Sequence, residues 1–266
     1  ATRALEEDSI PPGRPAGLRV ESSNSRGFKL AWTALGEDGC KGIAVRYEVR
    51  YSVGDELPFD QALRQGVQVD RPGPAGTPQQ ATVSLPPSGH DRAVNVAVRA
   101  IDNVGNPSEL ARVHFTIPGV PVAFEDNFDQ GAGAWSPEGT WAQMDYPGRG
   151  KVWTDSPEGA YQDNRNDSLV SPVISLRGWR GARLHFDARY TVEKDHDAAR
   201  LEVRTPGGSW SELARWDGNA DWRSYEYDLS DFDGRDVQVR FRLETDGSRT
   251  ADGIYLDNLV VTGRRS

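Results

Sequence analysis

The run Ala251-Asp252-Gly253-Ile254-Tyr255-Leu256-Asp257-Asn258-Leu259-Val260-Val261 sets a carboxylate and an amide inside what otherwise reads as a closing β-strand. An ionised acid is expensive to bury without a partner, so Asp257 needs a counter-charge or a cation. Its counterpart is Phe124-Glu125-Asp126-Asn127-Phe128, which opens the same C-terminal region. Acids on the first and last strands of one sheet domain suit a hard cation held by oxygens, calcium foremost. The competing reading is that Asp257 caps a bulge or meets one of the many arginines.

Catalytic chemistry finds little support. Nucleophilic catalysis needs a histidine beside an acid and a nucleophile, and there are four histidines. His185 falls on the polar face of a strand, His90 and His196 in loops, and His114 in a strand before residue 118. His196-Asp197 could form a dyad, but no Gly-x-Ser-x-Gly accompanies it. No His-Glu-x-x-His is present either, so the chain holds no zinc-protease core of that type. Carboxylates are too numerous for any one pair to stand out as a glycosidase pair.

Seven of the eight tryptophans follow residue 119. Flat aromatics can stack on the apolar face of a sugar, whereas most tryptophans simply pack between sheets. Trp135 and Trp153 are read as core. Trp216 and Trp222 flank residues 217–221, a turn in this reading, and are the candidates for an exposed pair. Arg183, His185, Asp187, Arg189, Glu202, Arg204, Arg240 and Arg242 are expected to share one sheet face. Such a face, with His185, Arg189, Arg240 and Arg242 as its contacts, could accept an acidic sugar or a peptide. A mixed-charge array is also what a solvated sheet with cross-strand pairs looks like.

The elements that must position these residues are strands. In the C-terminal part, Leu184, Phe186, Ala188 and Tyr190 alternate with charged residues, as do Leu201 and Val203, and Val237, Val239, Phe241 and Leu243. Gly207-Gly208 signals a hairpin into residues 210–213. Earlier, Tyr47, Val49, Tyr51 and Val53 fall on one face, and Val94, Val96, Val98 and Ala100 repeat the pattern. Turn signals punctuate them at residues 36–39, 71–74 and 85–89, and residues 59–65 are read as a single helical turn. Pro118-Gly119-Val120-Pro121 reads as a short, stiff joint. The predicted organisation is an extension (1–10), a first β-sandwich (11–118), a linker (119–121) and a second β-sandwich (122–266).

Composition agrees with an all-β chain of two domains: 266 residues with 28 glycines and 17 prolines. The net charge is −9, from 31 basic and 40 acidic residues. Residues 1–118 contribute −1 (13 basic, 14 acidic) and residues 119–266 contribute −8 (18 basic, 26 acidic). That balance disfavours nucleic acid and anionic membrane as partners, since both attract basic patches. Cys40 is the single cysteine, so no intrachain disulfide is possible. No apolar run approaches the length of a membrane-spanning helix. Residues 1–8 lack a charged-then-apolar signal pattern, which leaves a mature fragment, a processed product or a cytosolic protein.

Two resemblances follow. Pro15 to Val20, Leu30-Ala31-Trp32-Thr33, Tyr47 to Ser52, and Val96 to Ser108 with its Asp102-x-x-Gly105-Asn106-x-Ser108 ending resemble a bacterial fibronectin type III domain. Phe124-Glu125-Asp126, Trp135, Thr154 to Tyr161, Leu169 to Leu176, Asp197 to Val203 and Asp252 to Asn258 are similar in order and spacing to MAM-like jelly rolls. The likeness is to those appended to secreted bacterial peptidases of the immune-inhibitor-A and subtilisin-like types. It implies a concanavalin-like jelly roll with a structural calcium between first and last strands. By position Glu125 and Asp257 would be its ligands, with Asp155 and carbonyls around Gly159 as further candidates. The expectation is a noncatalytic, extracellular binding or targeting region. Its partner would be an extracellular protein, a polysaccharide or an attached catalytic domain; a plain spacer and a carbohydrate-binding module are the alternatives.

Overall fold

Alternating apolar side chains become paired strands along the whole of the computed structural model, which describes residues 9–36, 38 and 41–266. Most of the N-terminal extension, Cys40, and Glu37 and Gly39 of one expected turn lie outside the described residues. The chain divides into two compact units. One runs to Leu85 and resumes over Asp91–Pro118; the other comprises Pro86–His90 and Gly119–Ser266.

The first unit contains β1 (Ala16–Asn24), β2 (Gly27–Thr33), β3 (Arg46–Val53), β4 (Val67–Val69), β5 (Pro78–Ser84), β6 (Arg92–Ile101) and β7 (Ala111–Ile117). They form a four-stranded sheet, β1-β2-β5-β4, and a three-stranded sheet, β3-β6-β7, both antiparallel. The period-2 faces meet between them: Phe28, Leu30 and Trp32 pack with Tyr47, Val49, Tyr51, Val94, Val96 and Val98. Trp32 and Tyr47 contact edge to face at 5.1 Å. Buried Asp102 ties the loop after β6 by accepting from Val104 N (3.0 Å) and Asn106 N (2.7 Å). Ser108 Oγ accepts from Ala100 N (2.9 Å), so both polar ends of the Asp-to-Ser motif hold one turn. Residues 59–65 form hydrogen-bonded turns, with Gln61 N and Ala62 N donating to Pro58 O, and no helix.

The second unit contains β8 (Val122–Asp126), β9 (Ser136–Pro137), β10 (Ala142–Tyr146), β11 (Gly150–Thr154), β12 (Asn166–Val170), β13 (Ile174–Ser175), β14 (Trp179–Val192), β15 (Ala198–Arg204), β16 (Ser211–Trp216), β17 (Gly218–Asp228), β18 (Asp236–Glu244) and β19 (Gly253–Arg265). A 3-10 turn at Ser230–Phe232 is its sole helical element among the described residues. One sheet runs β10-β11-β19-β14-β17, with β8 also paired to β19; the other runs β16-β15-β18-β12-β9, with β13 on β18. The expected hairpin through Gly207-Gly208 is the β15–β16 pair. The sheets sandwich one core. Phe186 of the first sheet meets Phe241 of the second at 5.0 Å, and Leu184, Leu201, Val239 and Leu243 are sealed beside them. Truncating Phe186 to alanine would cost about 3–5 kcal/mol by such burial.

Candidate functional site

The first strand of the second unit does lie beside its last. β8 runs antiparallel to β19, with Glu125 opposite Val260 and Asp126 opposite Leu259. The acids expected to clamp calcium nevertheless have other partners. Asp257 projects beside Asp187 of β14, and Arg149 Nη1 donates to Asp257 Oδ2 (2.9 Å) and Asp187 Oδ2 (3.1 Å). All three side chains are at least 96 % buried. Asn258, at φ +51°, forms the bulge that turns the strand there, and its side-chain amide donates to both Asp187 and Asp257.

The other expected ligands are elsewhere. Glu125 accepts from Ser88 Oγ (2.5 Å) and Gly89 N (2.8 Å). Asp155 accepts from Ile254 N and Ser156 Oγ, both at 2.7 Å, and Gly159 is exposed. Gly253 makes the Asp155 position possible: a Cβ there would come 2.5 Å from Asp155 Oδ1, in a left-handed backbone of φ +79°. Among the described residues, Glu125, Asp155 and Asp257 form no group of oxygens close enough to share one ion. A guanidinium already supplies the positive charge at Asp257, so these residues do not fit a calcium ion between first and last strands. The arginine alternative describes the site.

Burial governs the acid–base state of both aspartates. It pushes the Asp257 carboxyl up to about 7, against the pull of Arg149 and with the push of Asp187. It pushes Asp155 up to about 6, opposed by the hydrogen bonds from Ile254 and Ser156.

Around Arg149 the outer face of the β10-β11-β19-β14-β17 sheet carries aromatic rings and cations. The Arg149 guanidinium lies 3.9 Å over the Trp222 ring. Tyr146 meets Trp222 at 5.3 Å and Tyr255 at 5.8 Å, both edge-on. Arg189 lies 4.8 Å over Tyr255 and donates to Tyr146 Oη (2.9 Å) and Asp252 Oδ2 (2.7 Å). Burial and the neighbouring Asp252 push the Tyr255 hydroxyl up to about 12, so it stays a donor to Asp252 Oδ1 (2.8 Å). Trp222 and Tyr146 are half-buried, and the Arg189 side chain is 26 % exposed. Tyr255 is buried beneath Arg189 and Arg149 covers one face of Trp222, so the part-exposed rings are Trp222 and Tyr146, beside the Arg189 guanidinium. Rings beside a donor are a combination that recognises sugars or extended peptide.

Three sequence expectations need correction. The eight charged residues expected on one face occupy two, on opposite outer surfaces of the sandwich. Arg183, His185, Asp187 and Arg189 belong to β14, whereas Glu202, Arg204, Arg240 and Arg242 belong to β15 and β18 of the other sheet. Arg240 and Arg242 both clamp buried Glu202. Burial alone would raise the Glu202 carboxyl, but the two arginines hold it below its ordinary value. Trp216 is not paired with Trp222: it packs inward on Phe186, Tyr225 and Tyr227. Residues 218–221 are strand, and the chain crosses from one sheet to the other at Asp217.

His185 is 4 % exposed, with Nε2 at 3.0 Å from Thr262 Oγ1 and Nδ1 at 3.7 Å from Glu226 Oε2. Thr262 sits in a strand paired on both sides, to Arg183 and to Val122. His196 points to Asp246, not to Asp197. Arg149, Tyr146 and Asp252 were not singled out by sequence; the arginine sits in an unremarkable Tyr-Pro-Gly-Arg-Gly turn.

Comparison with known proteins places the chain beside peptidases. No family model matches it. It is 26 % identical over 159 residues to Bacillopeptidase F of Bacillus subtilis strain 168, covering 55 % of this chain and 11 % of that protein. It is 30 % identical over 126 residues to Immune inhibitor A of Bacillus thuringiensis subsp. alesti, covering 44 % of this chain and 18 % of that one. The chain therefore spans less than a fifth of either relative. Among solved structures, the K3 cleaved adhesin domain of Lys-gingipain from Porphyromonas gingivalis W83 is 16 % identical with a TM-score of 0.36, over 53 % of this chain and 99 % of that one. That likeness is too distant to bear on function. The chain is an all-β protein whose matched relatives include bacterial peptidases many times its aligned length.

Proposed function

We propose that this chain is a noncatalytic, extracellular region of a bacterial peptidase or adhesin that binds a polysaccharide or protein and positions its parent there. The observation that carries the reading is the half-buried Tyr146–Trp222 ring pair with Arg189 beside it. The stretch shared with Bacillopeptidase F and Immune inhibitor A, a small part of each, supports an accessory region joined to a peptidase. The surroundings of His185 and His196 support a noncatalytic role. Among the described residues no helix is long and apolar enough to cross a membrane, and a net charge of −9 makes nucleic acid a poor partner. The fibronectin-like and MAM-like assignments belong to this proposal, as does a structural calcium.

A spacer is the second reading. It is favoured by the other sheet, whose outer arginines are matched internally: Arg240 and Arg242 to Glu202, and Arg200 to Glu212 and Glu244. Passing the chain over immobilised polysaccharides and immobilised gelatin separates the two. Retention on at least one matrix supports a binder. Flow-through from all of them, with association only to a peptidase domain, supports the spacer.

A further inference from the structure

A second group of acids lies where two loops of the second unit converge, the β14–β15 and β18–β19 loops. Glu193 follows β14, Asp197 precedes β15, and Asp246 follows β18. One carboxylate oxygen from each lies within 4.8 Å of the other two. Buried Asp197 is fixed by Tyr161 Oη, which donates to its Oδ2 (2.6 Å), and by Asp246 N, which donates to its Oδ1 (2.7 Å). Glu193 N in turn donates to Tyr161 Oη (3.0 Å). The backbone at two of the acids is thus locked to the frame.

The Glu193 side chain is only 10 % exposed, and its Oε2 is sealed from solvent with no hydrogen-bond partner. Its other oxygen has Arg249 Nε at 3.8 Å, from a side chain 85 % exposed. Asp246 has His196 Nδ1 at 3.2 Å, also from a largely exposed ring. Among the described residues no buried guanidinium pairs with this group, in contrast to Arg149 between Asp187 and Asp257. A carboxylate oxygen in that position is unfavourable unless something positive reaches it.

We infer that Glu193, Asp197 and Asp246 hold a hard divalent cation, calcium foremost because its flexible coordination accepts an irregular set of oxygen ligands. Calcium takes about six to eight oxygen ligands in flexible geometry, whereas magnesium demands a near-ideal octahedron. The Asp197 carboxylate held by Tyr161 and Asp246 N, the Asp246 carboxylate held by Ser248 N and Oγ, and the bare Glu193 oxygen present a part-formed coordination shell, which water and loop carbonyls can complete. The ion would join the β14–β15 and β18–β19 loops and stabilise the folded unit, whether or not the outer sheet face binds a polysaccharide.

Calorimetric titration and thermal melting of the chelator-treated chain test this. Calcium at one hundred times its Kd should raise the melting midpoint of the second unit by on the order of 5–10 °C, and equimolar magnesium by less. Glu193→Gln should weaken calcium binding at least about ten-fold while leaving the calcium-free midpoint unchanged or higher, because it removes the unpaired charge. Glu125→Gln should keep the full calcium response. If Glu193→Gln fails to fold, Asp246→Asn carries the same test. The inference is overturned if calcium neither binds nor shifts the midpoint, if the Glu193 and Asp246 variants respond as wild type, or if the response is lost in Glu125→Gln instead.

Discussion

Replacing Arg149 with methionine would leave Asp187 and Asp257 buried against each other with no counter-charge. The three side chains are between 2 % and 4 % exposed, and the two contacts are 3.1 and 2.9 Å. Removing one partner of a buried ion pair typically costs about 3–5 kcal/mol, and loss of the stack on Trp222 adds about 1 kcal/mol. At pH 8 the variant should therefore lose at least about 3 kcal/mol, a midpoint shift on the order of 10 °C. The sign of the pH dependence follows from burial. An acid whose folded pKa is raised binds its proton more readily folded than unfolded, so stability falls as pH rises through that pKa. Asp257 already titrates at about 7 with Arg149 present; without the arginine's opposing pull it is pushed higher. Much of the loss should then vanish by pH 5, where Asp257 is protonated in the folded variant. Urea unfolding followed by tryptophan fluorescence suits the measurement, since seven of eight tryptophans lie in the second unit. Adding Asp187→Asn and Asp257→Asn should restore most of the stability at pH 8. A loss below about 1 kcal/mol, or one equal at pH 5 and pH 8, would refute the buried-triad reasoning.

Asp155 is pushed up to about 6, so its ionisation withdraws about 3 kcal/mol of stability between pH 4 and pH 7. Asp155→Asn should flatten the urea-midpoint profile across that range. Glu202→Gln should cost about 1–2 kcal/mol at pH 7 by weakening two charge-assisted pairs. Because the Glu202 carboxyl is held below its ordinary value, its stabilisation is present at neutral pH and fades as pH falls through that lowered value. Its effect in urea melts should therefore shrink in acid. The chain should not hydrolyse casein, and turnover abolished by His185→Ala would contradict the noncatalytic reading.

Much of the sandwich was legible because its strands keep strict alternation. Leu184, Phe186, Ala188 and Tyr190 point inward along β14, and Tyr47, Val49 and Tyr51 along β3. Alternation reports which side of a strand is apolar, but not which sheet the strand joins. Charged residues on β14 and β18 consequently read as one face although they lie on two. Trp216 and Trp222 looked equivalent around an Asp-Gly-Asn-Ala-Asp stretch, yet a crossover at Asp217 sends one ring into the core and the other outward. Asp257 announced its need for a positive charge, but its partner is 108 residues away in a turn. Dispersed arginines carry no spacing that would single out Arg149. Glu193, Asp197 and Asp246 sit just beyond strand ends, where acids are common, and only the closure of the loops brings them together.

The most direct test of the binding function is a fluorescence titration of the intact chain with the polysaccharide or gelatin that retains it, comparing wild type with Trp222→Ala and Arg189→Ala. Saturable binding that weakens at least about ten-fold in each variant, with Arg240→Ala unaffected on the opposite sheet, is the expected result. Binding indifferent to Trp222 and Arg189, or binding lost only with Arg240→Ala, would contradict it.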